Sequence, residues 1–178
     1  MRKLIVALLI LLTLGFGACA WYFYFDTYHF AVVQPGILYR DGFQGMRRFQ
    51  NAYRQRPFKT VVNLQSDEDH LQYAKDIELQ KTFCREHGIK WIHIAMKQKT
   101  APTREQMDEF VRIVKDPANQ PVFAHDSQGV IREGMMVAVW QKEGMGYDYE
   151  KCVAEIKLFG HKPYPELTDF ISKLYNKN

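Results

Sequence analysis

Cysteine is scarce in this chain of 178 residues: there are three, Cys19, Cys84 and Cys152. None belongs to a C-x-x-C pair, and no two histidines stand at ligand spacing, which argues against a zinc site. Strong charge of either sign is also missing. The formal net charge is +4, and Arg2 and Lys3 account for half of it. No Lys/Arg block with interleaved aromatics stands out, so nothing suggests a nucleic-acid partner. There is no internal repeat, no low-complexity tract and no composition shift that would mark a second folded domain. With 47% hydrophobic residues at this length, the chain falls in the globular class and can bury one proper core.

What the chain does have begins at its N-terminus. After the basic start Met1-Arg2-Lys3, residues 4–25 run for 22 positions without a charge. At about 1.5 Å per helical residue, such a run crosses a hydrocarbon layer of about 30 Å. Trp21, Tyr22 and Tyr24 stand at its far end, where an aromatic belt lies. The basic end favours the cytoplasm, which puts the following domain on the extracytoplasmic side of a single-pass membrane protein. Two alternatives stay open. Gly17-Ala18-Cys19 offers a small-residue exit for a cleaved signal, giving a secreted form, and Ala18-Cys19 offers a lipoprotein site. Residues 1–25 are thus a membrane anchor or signal segment, with the anchor preferred, and 26–34 a linker out of the membrane.

Beyond the linker, hydrophobic periodicity alternates between strand and helix. Pro35-Gly36 marks a turn. Residues 37–40 read as a short strand, and 44–55 as a helix stopped before Pro57. The β-branched run 60–64 reads as a buried parallel strand. An acidic loop, Ser66-Asp67-Glu68-Asp69, follows, and its simplest reading is a solvated segment capping the next helix. That helix ends at Gly88, and 91–96 is a third strand. Thr103-x-x-Gln106 is a capping box opening a helix with one apolar stripe, Met107, Phe110, Val111 and Val114, that stops at Asp116-Pro117. Residues 121–124 form the fourth strand. Residues 135–140 are apolar on all sides and predict a central helix. Tyr149, Val153 and Ile156 give another stripe, and Leu167, Phe170, Ile171 and Leu174 the last, with Pro165 in the first turn. The expected fold is α/β: a mostly parallel sheet of about four strands flanked by helices, preceded by one transmembrane helix.

The fourth strand runs straight into His125-Asp126-Ser127-Gln128-Gly129-Val130-Ile131-Arg132-Glu133-Gly134. Ligands in such sheets bind beyond the C-terminal ends of the strands. A glycine-containing strand–loop–helix unit there is an anion cradle, because loop N–H groups converge and the helix N-terminus adds partial positive charge. Gly129 lets the backbone bend inward. Arg132 can grip two phosphate oxygens, and His125 can orient the loop through a ring hydrogen bond. The implied ligand is a phosphate-type anion.

This stretch closely resembles the phosphate-binding loop H-C-x-x-G-x-x-R-S/T-G of the cysteine-dependent protein tyrosine and dual-specificity phosphatases. His125, Gly129, Arg132 and Gly134 match it. Pro35 to Arg40 is also similar to the opening of bacterial members of the dual-specificity-phosphatase-like family, and the strands at 60–64 and 121–125 resemble its core. The resemblance covers the chain from 35 to the last helix and makes 35–178 a phosphatase-like domain. It implies a loop of Ser127, Gln128, Gly129, Val130, Ile131 and Arg132 around the phosphate of a phosphorylated protein or a small phosphate-bearing molecule, a loop Cys that attacks phosphorus, an Arg that stabilises the transition state, an Asp that protonates the leaving group, and no metal or other cofactor. Three of those parts are substituted. Asp126 occupies the nucleophile position and Glu133 the hydroxyl position. The segment Lys97-Gln98-Lys99-Thr100, after the third strand, has no carboxylate to serve as acid. The expected outcome is an inactive phosphatase relative, a pseudophosphatase used for binding or scaffolding. The alternative is a working phosphatase with a non-standard nucleophile; aspartyl-phosphate chemistry usually uses a metal and a second Asp where Gln128 stands, and Asp67, Glu68 and Asp69 could supply a Mg²⁺ ligand or an acid from the same edge of the sheet. Cys84 and Cys152 read as buried thiols, His93 as a core or rim histidine and His161 as a loop residue. His29 and His70 show no recognisable partner in sequence.

Overall fold

The run at 121–124 and the β-branched run at 60–64 become the centre of the sheet. The structure is a computed structural model describing residues 2–160 and 164–177, so His161 lies outside the described residues. Among the described residues the strands are β1 (Ala31–Gln34), β2 (Leu38–Gly42), β3 (Thr60–Asn63), β4 (Lys90–His93) and β5 (Val122–Asp126). They form one sheet in the order β1-β2-β5-β3-β4. β5 is parallel to both β2 and β3, β3 is parallel to β4, and β1 is antiparallel to β2. The expectation of about four strands thus gains a fifth. β1 lies within the stretch read as a linker, as an edge strand of four residues joined to β2 across Gly36, whose φ is +72°. A strand that short shows too little alternation to separate from a loop.

Side chains alternate across the sheet as the two-residue period requires. Leu38, Val62, Val122 and Ala124 face a core shared with Phe110, Val114, Met136 and Val137. Tyr39, Val61 and Phe123 face the opposite core with Phe49, Ala52, Phe58 and Cys84. The first core is covered by α5 (Arg104–Lys115) and α6 (Arg132–Glu143), the second by α2 (Met46–Gln55) and α4 (Ala74–Glu86). In the second, Phe58 stacks on Phe123 at 4.4 Å and Phe49 meets Phe123 edge-on at 5.6 Å. Each such fully buried ring contributes roughly 1.5–3 kcal/mol. Helices α7 (Tyr149–Leu158) and α8 (Pro165–Leu174) pack on the outer side of α6. This sandwiching buries α6 on all sides through residue 141, as its apolar sequence predicts.

The helix ends follow their capping chemistry. Thr103 and Gln106 bond reciprocally at the start of α5, and Gly88, at φ +65°, closes the segment after α4. The helix expected between the acidic loop and Gly88 is two helices, α3 (Asp67–Gln72) and α4, broken at Tyr73. At the N-terminus α1 (Arg2–Tyr24) is, among the described residues, the one helix long and apolar enough to cross a membrane.

Candidate functional site

β5 delivers the loop to the centre of the C-terminal edge of the sheet, and two glycines let the loop fold back over β2. Gly129 has φ +68°, and a Cβ there would lie 2.5 Å from the carbonyl carbon of Asp41. A Cβ on Gly42 would lie 2.5 Å from the backbone of Gln128. Loop and strand therefore approach backbone to backbone, which side chains at either position would prevent. Arg40 Nη2 ties the contact by donating to the Gly129 carbonyl at 3.0 Å.

Asp126 turns its carboxylate into its own loop. Oδ1 accepts from the Gln128 N–H at 2.8 Å and, in a shorter contact, from the Gly129 N–H. Oδ2 lies 3.5 Å from Arg132 Nε. Asp126 is 3% exposed. Two loop donors that would bind an anion are thus satisfied by an anion from within the chain.

Each of the three Arg132 guanidinium nitrogens faces a protein group. Nη1 meets Asp69 Oδ2 at 2.5 Å and donates to the Met96 carbonyl at 3.2 Å, and Nη2 donates to Ser127 Oγ at 3.2 Å. Asp69 comes from the acidic loop that the sequence reads as solvated. The capping role does hold: Ser66 and Asp69 form the capping box of α3. The solvated part does not, because Asp69 is buried and also accepts from Gln98 Nε2 at 3.2 Å. Burial pushes its carboxyl up, and the hydrogen bond and charge of Arg132 outweigh that and hold it below its usual range. The carboxylate missing after β4 is thus present from the loop after β3. Its signal in the sequence was position, at the C-terminal end of a strand next to β5.

The remaining loop residues are held as firmly. His125 is fully buried; its Nε2 meets the Gln80 carboxamide and its Nδ1 lies 3.4 Å from the Asp126 carbonyl. Burial lowers its pKa to about 4, so the ring is neutral at physiological pH and orients rather than charges the loop. Ser127 Oγ accepts from Gln65 Nε2 at 3.0 Å, and the Ser127 carbonyl accepts from Gln44 Nε2 at 2.6 Å. Val130 is buried and Ile131 half-buried at the start of α6. His29 does have partners: its N–H donates to Asp41 Oδ1 at 2.8 Å and its ring meets the Gln128 carbonyl at 2.7 Å. His70 stacks on His93 at 3.9 Å, beside the site. Cys84 and Cys152 are buried free thiols, both pushed up in pKa by burial, to about 12 and about 11.

Glu133 points away from the loop and forms a close ion pair with Arg40 of β2, both fully buried. Full burial pushes the Glu133 carboxyl well above its ordinary range, and the Arg40 charge opposes that shift. With Asp41, the cradle and its base gather four buried carboxyl groups, Asp41, Asp69, Asp126 and Glu133, around two buried guanidiniums, Arg40 and Arg132. Above them lies a cleft of about 230 Å³ lined by Gln44, Asp69, Gln72, Tyr73, Gln98 and Lys99 together with the loop.

The family described as a DSP-PTPase phosphatase fused to NAD+ kinase matches residues 48–162. Over 123 residues the chain is 26% identical to the tyrosine-protein phosphatase-like protein OCA2 of Saccharomyces cerevisiae, covering 68% of this chain and 59% of that protein. Over 87 residues it is 31% identical to the probable NAD kinase 2, chloroplastic, of Oryza sativa subsp. japonica, covering 48% of this chain and 8% of that protein. The chain therefore spans under two thirds of the yeast protein and a small part of the plant one. In three dimensions it is similar to the core catalytic domain of the PP-IP phosphatase SIW14 from S. cerevisiae in complex with citrate. The TM-score is 0.70 at 21% identity, covering 85% of this chain and 88% of that one. A likeness at that identity concerns the fold.

Proposed function

This chain belongs to the family of DSP-PTPase phosphatases fused to NAD+ kinase, and from that premise we propose that it is a pseudophosphatase, a membrane-anchored binding or scaffolding module that does not turn over phosphate esters. The observation that carries this reading is the Asp126 carboxylate seated on the Gln128 and Gly129 N–H groups. A phosphoryl group would need those donors, and a carboxylate tethered through Cβ to the same loop holds them without any loss of association entropy. The charge around the loop points the same way. At the loop itself, the Asp69 and Asp126 carboxylates both face the Arg132 guanidinium, which makes an entering dianion unfavourable where an active cradle needs net positive potential. The missing thiol, the acidic side chain at position 133 and the engagement of Asp69 with Arg132 leave no nucleophile–acid pair poised for in-line attack. The uncharged run at residues 4–25 supports the anchor, and the basic residues before it support an extracytoplasmic domain.

Hydrolysis of a generic aryl phosphate by the full chain, with and without Mg²⁺, tests this. No turnover above background is expected in either condition. Turnover that disappears in Asp126→Asn would overturn the reading and make Asp126 a working nucleophile.

A further inference from the structure

We infer that α2 is a docking surface for an anionic phospholipid bilayer, which fixes how the domain sits on the membrane; this rests on the reading of α1 as a span. The C-terminal end of α1 is not left free. A helix end leaves carbonyls without intrahelical partners, and α2 supplies donors to them and to the residues just beyond. Arg47 donates to the Tyr22 carbonyl in a short contact, Arg54 to Phe23 at 3.5 Å, Gln55 to Phe25 at 2.9 Å and Asn51 to Asp26 at 2.9 Å. The Arg47 guanidinium lies 3.7 Å over the Tyr22 ring and that of Arg54 lies 5.6 Å from the Tyr24 ring. Arg47 and Arg48 both reach the Asp26 carboxylate, at 2.6 and 2.9 Å.

The apolar span runs from Lys3 to Tyr24. A helix packed against its last turn therefore stands at headgroup level, beside the aromatic residues Trp21, Tyr22 and Tyr24. α2 and its C-cap carry Arg47, Arg48, Arg54 and Arg56, and no acidic residue occurs from position 42 to position 66. Asp26 answers the first two; Arg54 and Arg56 are exposed. The chain's mild net charge hides this, because the balancing carboxylates lie elsewhere, four of them buried around the phosphate-type loop. Clustered arginines next to a span attract anionic headgroups, and their fork geometry suits a phosphodiester. A bilayer is favoured over a nucleic acid because the cluster lies where the span ends.

The test uses the full chain in lipid nanodiscs of phosphatidylcholine alone or of phosphatidylcholine mixed with phosphatidylglycerol, read by amide hydrogen exchange of α2. Exchange in the mixed discs is expected to be slower by about tenfold, and the difference should vanish in Arg54→Gln/Arg56→Gln; Arg56→Gln alone, which leaves the Arg54 contact with Phe23 in place, should already lose part of it. Inorganic phosphate added to the phosphatidylcholine discs should give no protection; equal protection by the free ion would replace the lipid surface with an ion site and overturn the inference. Entry into discs with the same α2 exchange in both lipids overturns this inference alone. Failure of the chain to enter discs overturns the anchor as well.

Discussion

The Asp69 carboxylate and the Arg132 guanidinium meet at 2.5 Å across the mouth of the loop, both about nineteen-twentieths buried. The contact turns the Arg132 guanidinium toward protein. It also makes Arg132 the shared partner of two carboxylates, since Asp126 approaches its Nε. Arg132→Ala should therefore lower stability by roughly 3–5 kcal/mol, because it strands two buried negative charges. Asp69→Asn keeps a hydrogen-bonding side chain of the same shape and should cost about 1–3 kcal/mol. Urea titration of both variants checks the ranking; equal losses would count against the shared-partner arrangement.

Removing the tethered carboxylate should reopen the cradle. Asp126→Ser is expected to bind phosphate or sulfate about tenfold more tightly than wild type, a change of about 1.4 kcal/mol. The gain stops short of a full site because Asp69 still holds Arg132. Calorimetric titration decides it: equal or weaker binding in a folded Asp126→Ser would leave the loop without a self-ligand.

Restoring the thiol should restore little. Asp126→Cys still lacks a free general acid, a group typically worth about 10²–10⁴ in rate. Adding Glu133→Ser does not complete the repair, because Glu133 is the buried carboxylate facing Arg40. That second change should lower stability by several kcal/mol, on the order of 3–5, and Glu133→Gln by less. Aryl-phosphate rates near those of active relatives in Asp126→Cys alone would show that the site had lost only its nucleophile.

Asp41 predicts a pH dependence. Burial raises its pKa from 3.8 to about 7, against the pull of backbone N–H groups from His29 and Gly42. Between those values the unfolded chain has lost the proton that the folded chain keeps. Stability attributable to Asp41 therefore falls as pH rises from about 4 to about 7, by up to about 4 kcal/mol. Asp41→Asn, which can still accept both N–H bonds, should melt higher than wild type at pH 8 and about equal to it at pH 4. Parallel melting curves across that range would remove the basis for this assignment.

The anchor predicts that the protein sediments with membranes and resists high-salt extraction. Recovery of a soluble mature form beginning near Ala20 would instead establish a cleaved signal.

Local signals carried most of the fold into view. The capping box at Thr103, the stop at Gly88, the buried run ending at His125 and the all-apolar 135–140 segment each have one physical reading at short range, and each holds. The loop was legible too, through His125, Gly129 and Arg132 at fixed spacing. What sequence does not reveal is which distant group each buried charge meets. Asp69 serves α3 as a cap and Arg132 as a counter-ion, and Ser66-x-x-Asp69 spacing announces only the first role. Arg40 reads as the end of a strand until Glu133, on another element, is found beside it. β1 is invisible for a different reason: its pairing partner, not its own four residues, makes it a strand.

The seat of Asp126 also bears on what could ever reach the loop. An attached carboxylate, placed by two side-chain torsions, competes with dissolved anions without any loss of association entropy. A dissolved phosphate therefore meets a cradle already occupied, at the disadvantage of about tenfold that Asp126→Ser should remove. A ligand that brings contacts of its own, along the cleft framed by Gln44, Tyr73 and Gln98, displaces Asp126 more readily than the bare ion. Selectivity at the loop would then be decided by what carries the phosphate, and the phosphate itself would be the last part to bind.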